Sequence, residues 1–535
     1  MSKSEDPSSG LAKSAATVSI AILLSRVLGL VREQVFAVFF GAGYAYDAFV
    51  VAFRIPNLLR DLFGEGALSA AFVAVFSDYN ANRSAQETWR LASRVLCFFA
   101  IALSVLVLLG CLFAEQIVSV LAPDFGIVPG KLALTETMTV IMMPFLLFIS
   151  LAAVVMGMLN TKGRFFVPAL ASSFFNLGSI IGGVSLAYLL PHYGYQPIIG
   201  MAFGTLIGGL LQLTIQLPAL RKTGFRFSPT LQFNDPGLIR ILKLMIPATI
   251  GLSATQINIF INTNFAASCI EGSVSWLNYA FRLVQLPIGL FGVAISIAAL
   301  PLLARHASQG KQVELRRTFV SSLTLVFMLT IPATVGLVIL AEPIIAILFE
   351  HGAFTALDTK ATAIALSLYA VGLFAYSANK VIVPVYYAIN ATRYPVMASF
   401  AAIAVNISII LLTIDHFQHR AIAFSTSITM IVNFLFLALI LYWKLGGYPL
   451  GYLVTNTLKI AVAAVVMGGV LYACDAIATP FAGQYSLIVQ IVTLLALIAG
   501  AALFYVGLLR LFNIPELATM LDSAQRLWLR LTGRR

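Results

Sequence analysis

Nine ionisable side chains stand where the surrounding sequence is otherwise apolar. Arg26, Arg32 and Glu33 interrupt one stretch, Asp47, Arg54, Arg60, Asp61 and Glu65 the next, and Arg282 a later one. A charge at the bilayer centre costs roughly 2.5–3.5 kcal/mol on insertion scales, so such residues face water, a ligand or each other. All five cations are arginine. Arginine keeps its charge at any physiological pH, and its planar fork meets a phosphate through two parallel hydrogen bonds. A proton relay would use carboxylates or histidines instead, and the five histidines fall in loops or near the ends of apolar stretches. The four carboxylates could neutralise much of the set, with Arg60 beside Asp61 or Glu65 as one internal pair. Snorkelling toward a helix end suits Asp47 but suits Arg26 poorly, because Arg26 lies in mid-stretch. An arginine-lined cavity predicts an anionic substrate, a phosphate or diphosphate. Arg26 and Arg32 are separated by about 1.7 helical turns and so lie on opposite faces of a straight helix. Either the helix bends near Gly29 or the two serve different partners.

The elements that must hold these charges are set by composition. The chain has 535 residues, 60% of them AVILMFWYC and only 10% charged. Its mean hydropathy is +0.96. An ordinary soluble domain is roughly 25% charged, so a water-soluble enzyme is excluded and the fold class is an all-α polytopic membrane protein. Spans of about 20 apolar residues number about fourteen: 14–40, 44–77, 91–122, 134–160, 165–191, 196–219, 237–268, 273–304, 318–349, 358–389, 394–414, 420–443, 451–474 and 485–511. Pro56, Gly64 and Gly66 predict a break in the second. The polar start, 1–13, reads as a cytoplasmic tail rather than a signal peptide, and 512–535 as a second tail. Four cysteines without a CxxC pair predict neither a disulfide framework nor a metal site.

Net charge is +12. In a soluble protein this would suggest nucleic acid; here it orients the helices. With both termini in the cytoplasm, and basic residues within seven residues of a span end counted with the adjoining loop, 23 of the 33 Lys and Arg fall in the tails and even-numbered loops. Three, Lys131, Lys360 and Arg420, fall in odd-numbered loops, and seven lie within spans. This sorting predicts an N-in, C-in topology. An internal echo is also present. Ala52-Phe53-Arg54, Leu62-Phe63-Gly64 and Ala70-Ala71 recur as Ala280-Phe281-Arg282, Leu290-Phe291-Gly292 and Ala298-Ala299, all at an offset of 228 residues. The offset equals six spans. It predicts two six-helix pseudo-repeats, 14–219 and 237–443, followed by two further helices in 451–511, with Arg54 and Arg282 pseudo-equivalent. Parallel repeats of this kind are a common transporter plan with the substrate path at their interface.

Several motifs are absent. The chain has no GxxxxGK[ST] phosphate loop, no HExxH and no GxSxG. No cofactor is expected, and energy must come from a gradient, the membrane potential or a coupled reaction.

The stretch Ser25-Arg26-Val27-Leu28-Gly29, Arg32, Gly41-Ala42-Gly43, Asp47-Ala48-Phe49, Pro56-Asn57-Leu58-Leu59-Arg60 and Glu65-Gly66-Ala67 resembles the MurJ/MviN family of lipid II flippases. So do Gly272-Ser273-Val274-Ser275-Trp276 with Arg282 and Pro287, and Phe354-Thr355-Ala356 after Gly352. The resemblance runs along essentially the whole chain. It implies a fourteen-helix relative of the multidrug and polysaccharide exporters, with two lobes around a cavity and a lipid-tail groove in the last two helices. The implied activity moves undecaprenyl-diphosphate-linked peptidoglycan precursor, lipid II, to the outer leaflet of the bacterial cytoplasmic membrane. By motif position it implies cavity roles for Arg26, Arg32, Asp47, Arg60 and Arg282, with Glu65 in the same motif. With Arg54 these form the expected substrate-binding set. The implied partners are lipid II, membrane lipids and the cell-wall synthesis machinery, and no nucleic acid.

The sequence also departs from the family. Positions beside the span 8 arginine that are acidic in some relatives are Phe281 and Gln285 here. Where some relatives bind sodium through aspartates, span 10 has Asn379 and Lys380, so sodium coupling is not carried over. The alternatives are a related exporter of drugs or lipid-linked polysaccharide, a membrane enzyme on polyprenyl phosphates, and a scaffold. The enzyme would place acidic or histidine clusters at a loop–membrane junction, and a scaffold leaves the arginines unexplained.

Overall fold

The computed structural model describes residues 7–64, 66–482, 486–518, 520–522 and 525; the side chains of 7–17, 19 and 478–482 are outside the described set. Among the described residues every regular element is helical. The chain divides into two compact units, residues 1–275 and 276–535.

The first unit begins with α1 (Pro7–Phe40), which runs without interruption past Gly29 and stops where Gly41 takes φ 62°. Then come α2 (Tyr44–Leu59), a π turn at Arg60–Gly64, α3 (Ala67–Asn82), α4 (Ala85–Leu112), α5 (Ala114–Leu121), α6 (Lys131–Met142) and α7 (Phe145–Thr161). The unit continues with α8 (Phe166–Leu189), α9 (Ile198–Thr214), the short α10 (Leu217–Arg221) and α11 (Pro236–Ala267). Ser84 and Glu87 form a reciprocal capping box at the start of α4. Asp235 caps α11 by accepting from the amides of Gly237 and Leu238. Each cap satisfies amide donors that a helix start leaves open. Helices α8 and α9 pack through small residues. A Cβ on Gly204 would stand 2.5 Å from the Gly183 Cα, and one on Gly200 only 2.3 Å from the Ala187 nitrogen. Without a hydrophobic drive between helices in lipid, such close backbone approach supplies the dispersion that holds them together.

α12 (Ser273–Pro287) leads into the second unit. A π turn at Ile288–Val293 follows, then α13 (Ala294–Ser308), α14 (Gln312–Ile339), α15 (Ala341–Phe349), α16 (Ala356–Val371) and α17 (Leu373–Ala388). The last helices are α18 (Arg393–Phe417), α19 (His419–Lys444), α20 (Leu450–Ala482) and α21 (Leu487–Leu511). Tyr505 of α21 donates to the Met328 carbonyl of α14 at 2.9 Å, and Lys459 of α20 donates to the Phe512 carbonyl at 3.1 Å. The outer faces are apolar: Leu412 is 80% exposed and Leu503 75%. Only hydrocarbon makes such surfaces tolerable on this scale.

The 228-residue echo extends well beyond its three sequence matches. At that offset α1 falls on α11, α4 on α14, α7 on α17 and α8 on α18, each to within about two residues at the start. The π turns coincide as well, Arg60 matching Ile288. Each turn contains a glycine pressed on a serine. A Cβ on Gly64 would lie 2.7 Å from Ser150 Oγ, and one on Gly292 2.8 Å from the Ser377 Cα. The two serines keep the offset to within one residue. A π turn inserts one residue into the helical ladder and is rare, so its recurrence at equivalent positions is strong support for duplication.

Eleven described helices are long and apolar enough to cross a membrane, or twelve when α16 and α17, bent by 42° at Gly372, count as one span. These match spans 3 to 14 of the sequence count. Spans 1 and 2 are not among them. Much of α1 has no described side chains, while α2–α3 carries Asp47, Arg54, Arg60 and Asp61 and is broken by its π turn. The expected interruption is therefore present, and its form is a π turn rather than a proline kink: Pro56 lies within regular α2.

Candidate functional site

Most of the charged set lies at the α1–α2 corner of the first unit. Arg26 is exposed and makes no hydrogen bond or ion pair with a described residue. Arg32 is only 8% exposed. Its Nη2 donates to Glu33 Oε1 at 3.0 Å, and its guanidinium lies 5.3 Å from the Phe175 ring centre on α8. Tyr46 of α2 donates its hydroxyl to Glu33 Oε2 at 2.7 Å. Glu33 is thus clamped from both sides. Arg26 is exposed and Arg32 buried, so the two face different surroundings on one continuous helix.

Asp47 is buried, and both its oxygens are occupied. Oδ2 accepts from Lys131 Nζ at 3.1 Å and from the Gly272 amide at 2.9 Å. Oδ1 accepts from the Ser275 amide at 2.9 Å and its hydroxyl at 2.6 Å. Lys131 is itself only 2% exposed and sits 4.3 Å over the Phe125 ring. Tyr44 donates its amide to Glu271 nearby at 3.1 Å. A carboxylate that accepts four hydrogen bonds has no capacity left for a ligand. Lys131 balances its charge, and together these donors tie α2 to α6 and to the start of α12.

Arg60 opens the π turn and donates through Nε and Nη2 to Asp61 Oδ1 at 3.2 and 2.8 Å. Gln256 of α11 donates to Asp61 Oδ2 at 3.3 Å. Arg54 lines an apolar cavity of about 310 Å³ with Leu58, Phe113 and Phe260. Glu65 lies outside the described residues. In the second unit Arg282 is half-buried on α12, beside buried Leu283 and Val284, five residues before Pro287. Trp276 donates its indole N–H to Asp358 Oδ1 at 2.8 Å. The other Asp358 oxygen accepts from the Thr355 amide and hydroxyl at 2.9 and 2.8 Å.

The described contacts thus place Arg32, Asp47 and Arg60 in three groups, Arg32–Glu33–Tyr46, Lys131–Asp47–Ser275 and Arg60–Asp61–Gln256, while Arg26, Arg54 and Arg282 belong to none of these. No group of three or more His, Cys, Asp and Glu among the described residues has metal-binding geometry. The profile of the family described as "Lipid II flippase MurJ" matches residues 36–512. The chain belongs to the MurJ family. It is 37% identical over 434 residues to a "Probable lipid II flippase MurJ" of Buchnera aphidicola, covering 81% of this chain and 84% of that one. It is 35% identical over 463 residues to the "Lipid II flippase MurJ" of Burkholderia cenocepacia, covering 86% and 89%. A solved structure described as "Lipid II flippase MurJ, inward closed conformation" superposes with a TM-score of 0.75 at 30% identity, over 93% of this chain and 99% of that one. An inward-facing multidrug MATE transporter of the MOP superfamily shares the fold, with a TM-score of 0.64 at 16% identity over 81% and 98%.

As a MurJ family member the chain is a multi-pass protein of the bacterial inner membrane and a transporter, not an enzyme. Trp276 and Thr355, from two stretches that carry the family resemblance, both donate to Asp358. Lys131, Tyr46, Gln256 and Asp358 were not anticipated. Lys131 had one signal: it is one of three cations on the cation-poor side of the topology, where a lysine has no orienting use.

Proposed function

We infer that this chain is a lipid II flippase, carrying the undecaprenyl-diphosphate-linked peptidoglycan precursor from the inner to the outer leaflet by alternating access. The family match along residues 36–512 carries this reading. The chemistry of the α1–α2 corner supports it, since Arg26 is a fixed cation left open on an apolar helix. On this reading Arg26, Arg54, Arg60 and Arg282 form the anion path, Arg32 and Asp47 hold the corner in shape, and Glu65 keeps the role implied by its motif. The helices α20 and α21 would take the polyprenyl tail, and enzymes of cell-wall synthesis would be the neighbouring partners. The MATE likeness carries fold alone, and drug export has no specific observation in its favour. In cells depleted of their own flippase, expressing this chain should clear the inner-leaflet lipid II that otherwise accumulates. Persisting accumulation with normal membrane levels of the chain would refute the reading.

We also place both termini in the cytoplasm, on the 23-to-3 partition of basic residues. Reporter fusions after Arg317 and Lys444 should read cytoplasmic. One at Gln484, a position outside the described residues, should read periplasmic. A cytoplasmic reading at Gln484 would break the orientation.

A further inference from the structure

The loop from α10 to α11 is fastened along α4. Phe225 meets Trp89 edge-on at 5.3 Å, and Phe233 meets Phe98 at 5.4 Å. The Ser228 amide donates to Ser93 Oγ at 3.2 Å. Arg94 donates to Gln232 Oε1 at 3.2 Å and pairs with Asp235. Beneath this strap lies a cavity of about 1240 Å³ within the first unit, walled by α4, α7, α9 and α10. Its lining is apolar, with Leu96, Cys97, Ala100 and Val155 on the helices and Phe227 and Leu231 on the strap. Phe227 and Leu231 are nonetheless 55% and 75% exposed. The charged groups on the wall are Arg221 and Arg226. Neither pairs with a described carboxylate, and the nearby Asp235 is taken by Arg94. Arg164 donates to the Lys222 carbonyl at 3.4 Å, which adds two more cations to the same rim.

An apolar slot with a cationic mouth matches the two parts of one molecule. We propose that this groove is a fixed site for an anionic diacyl phospholipid, with an acyl chain between strap and helices and its phosphate on Arg221 and Arg226. Basic pockets at the membrane surface take anionic head groups in this way, each basic residue adding a factor of about five in binding. The lined volume exceeds the 300–1,000 Å³ or so of an ordinary small-molecule pocket, as an acyl chain requires. None of the intramembrane charges assigned to the transport path lines it, so the proposal stands apart from the flippase reading. Only the leaflet concerned depends on the N-in orientation.

Cys97 is a built-in reporter. With Cys111, Cys269 and Cys474 changed to alanine, the full chain in phosphatidylcholine vesicles should be labelled by N-ethylmaleimide at Cys97, a half-buried free thiol. Replacing part of the phosphatidylcholine with phosphatidylglycerol should slow that labelling about fivefold or more. A chain retaining only the exposed Cys474 corrects for the change in surface pH. Arg221→Ala with Arg226→Ala should abolish the protection, and the paired lysine variants should keep most of it. Ala100→Phe, which fills the slot and leaves both arginines, should make labelling insensitive to phosphatidylglycerol. Equal labelling in both lipids, or protection that survives loss of both arginines, would overturn the proposal. So would equal protection by inorganic phosphate, which would make this a free-anion site. Protection by undecaprenyl phosphate at a lower mole fraction than phosphatidylglycerol would make the groove part of the substrate path and overturn it likewise.

Discussion

Replacing Arg26 and Arg282 together by alanine is expected to abolish growth of a flippase-depleted cell while the protein still reaches the membrane. The two are paired in this test because they sit on different units, one on α1 and the other on α12. Arg26 is exposed on α1 with no described partner, so its loss leaves no buried carboxylate uncompensated. A defect of the Arg26→Ala single variant then reports on what Arg26 binds. Hydrogen bonds to a charged group contribute about 1.5–3 kcal/mol each, or about tenfold to a hundredfold in transport per arginine. Lysine separates field from geometry, because it keeps the charge and loses the planar fork. Arg26→Lys should retain partial function if the residue mainly supplies field, and Arg282→Lys should fail if that side chain grips two oxygens at once. Arg282 is expected to tolerate alanine least. Arg32→Ala is a poorer probe, since it removes the ion pair of the buried Glu33 carboxylate at the same corner. Full growth of the double alanine variant at normal expression would remove the anionic-substrate argument.

What the sequence could and could not announce follows from the range of each interaction. Apolar runs are local, and spans 3 to 14 were legible because each is a helix whose outer face meets hydrocarbon. The duplication was legible at three short matches, and the matched π turns extend it. The π form of the turns was not foreseeable: Pro56, Gly64 and Gly66 predict a break, and it falls at Arg60–Gly64, ending on one of those glycines, while Pro56 sits inside regular α2. Neighbours in sequence were within reach, as with Arg60 and Asp61. Asp47 was not. Snorkelling at a helix end and a cavity role were both compatible with its position. The structure gives it Lys131, Gly272 and Ser275, all far along the chain. No local pattern encodes such a pairing. A lone lysine on the wrong side of the charge partition is the residue type that a partner search should try first.

That pairing carries the second large effect. Asp47 and Lys131 are each 2% exposed, and removing one partner of a buried pair typically costs about 3–5 kcal/mol because the other charge stays buried and unpaired. Asp47→Ala should therefore lower the amount of folded protein and its melting temperature in detergent, before any question of transport arises. Asp47→Asn keeps one acceptor oxygen, enough for the two Ser275 donors, but sets an amide NH2 against the Gly272 amide and Lys131 and loses the charge, so it should recover only part of the cost of alanine. Lys131→Met combined with Asp47→Asn removes both charges and should recover much of the lost stability, since a neutral pair leaves no ion to desolvate. If Asp47 acted instead by contacting substrate, Asp47→Ala would be thermally normal and inactive, and adding Lys131→Met would restore nothing. The two outcomes separate on the melting curve alone. A stable but inactive Asp47→Ala chain would return Asp47 to the binding set. An unstable one rescued by the double neutral variant would fix it as the group that locks α2 to α6 and to the start of α12.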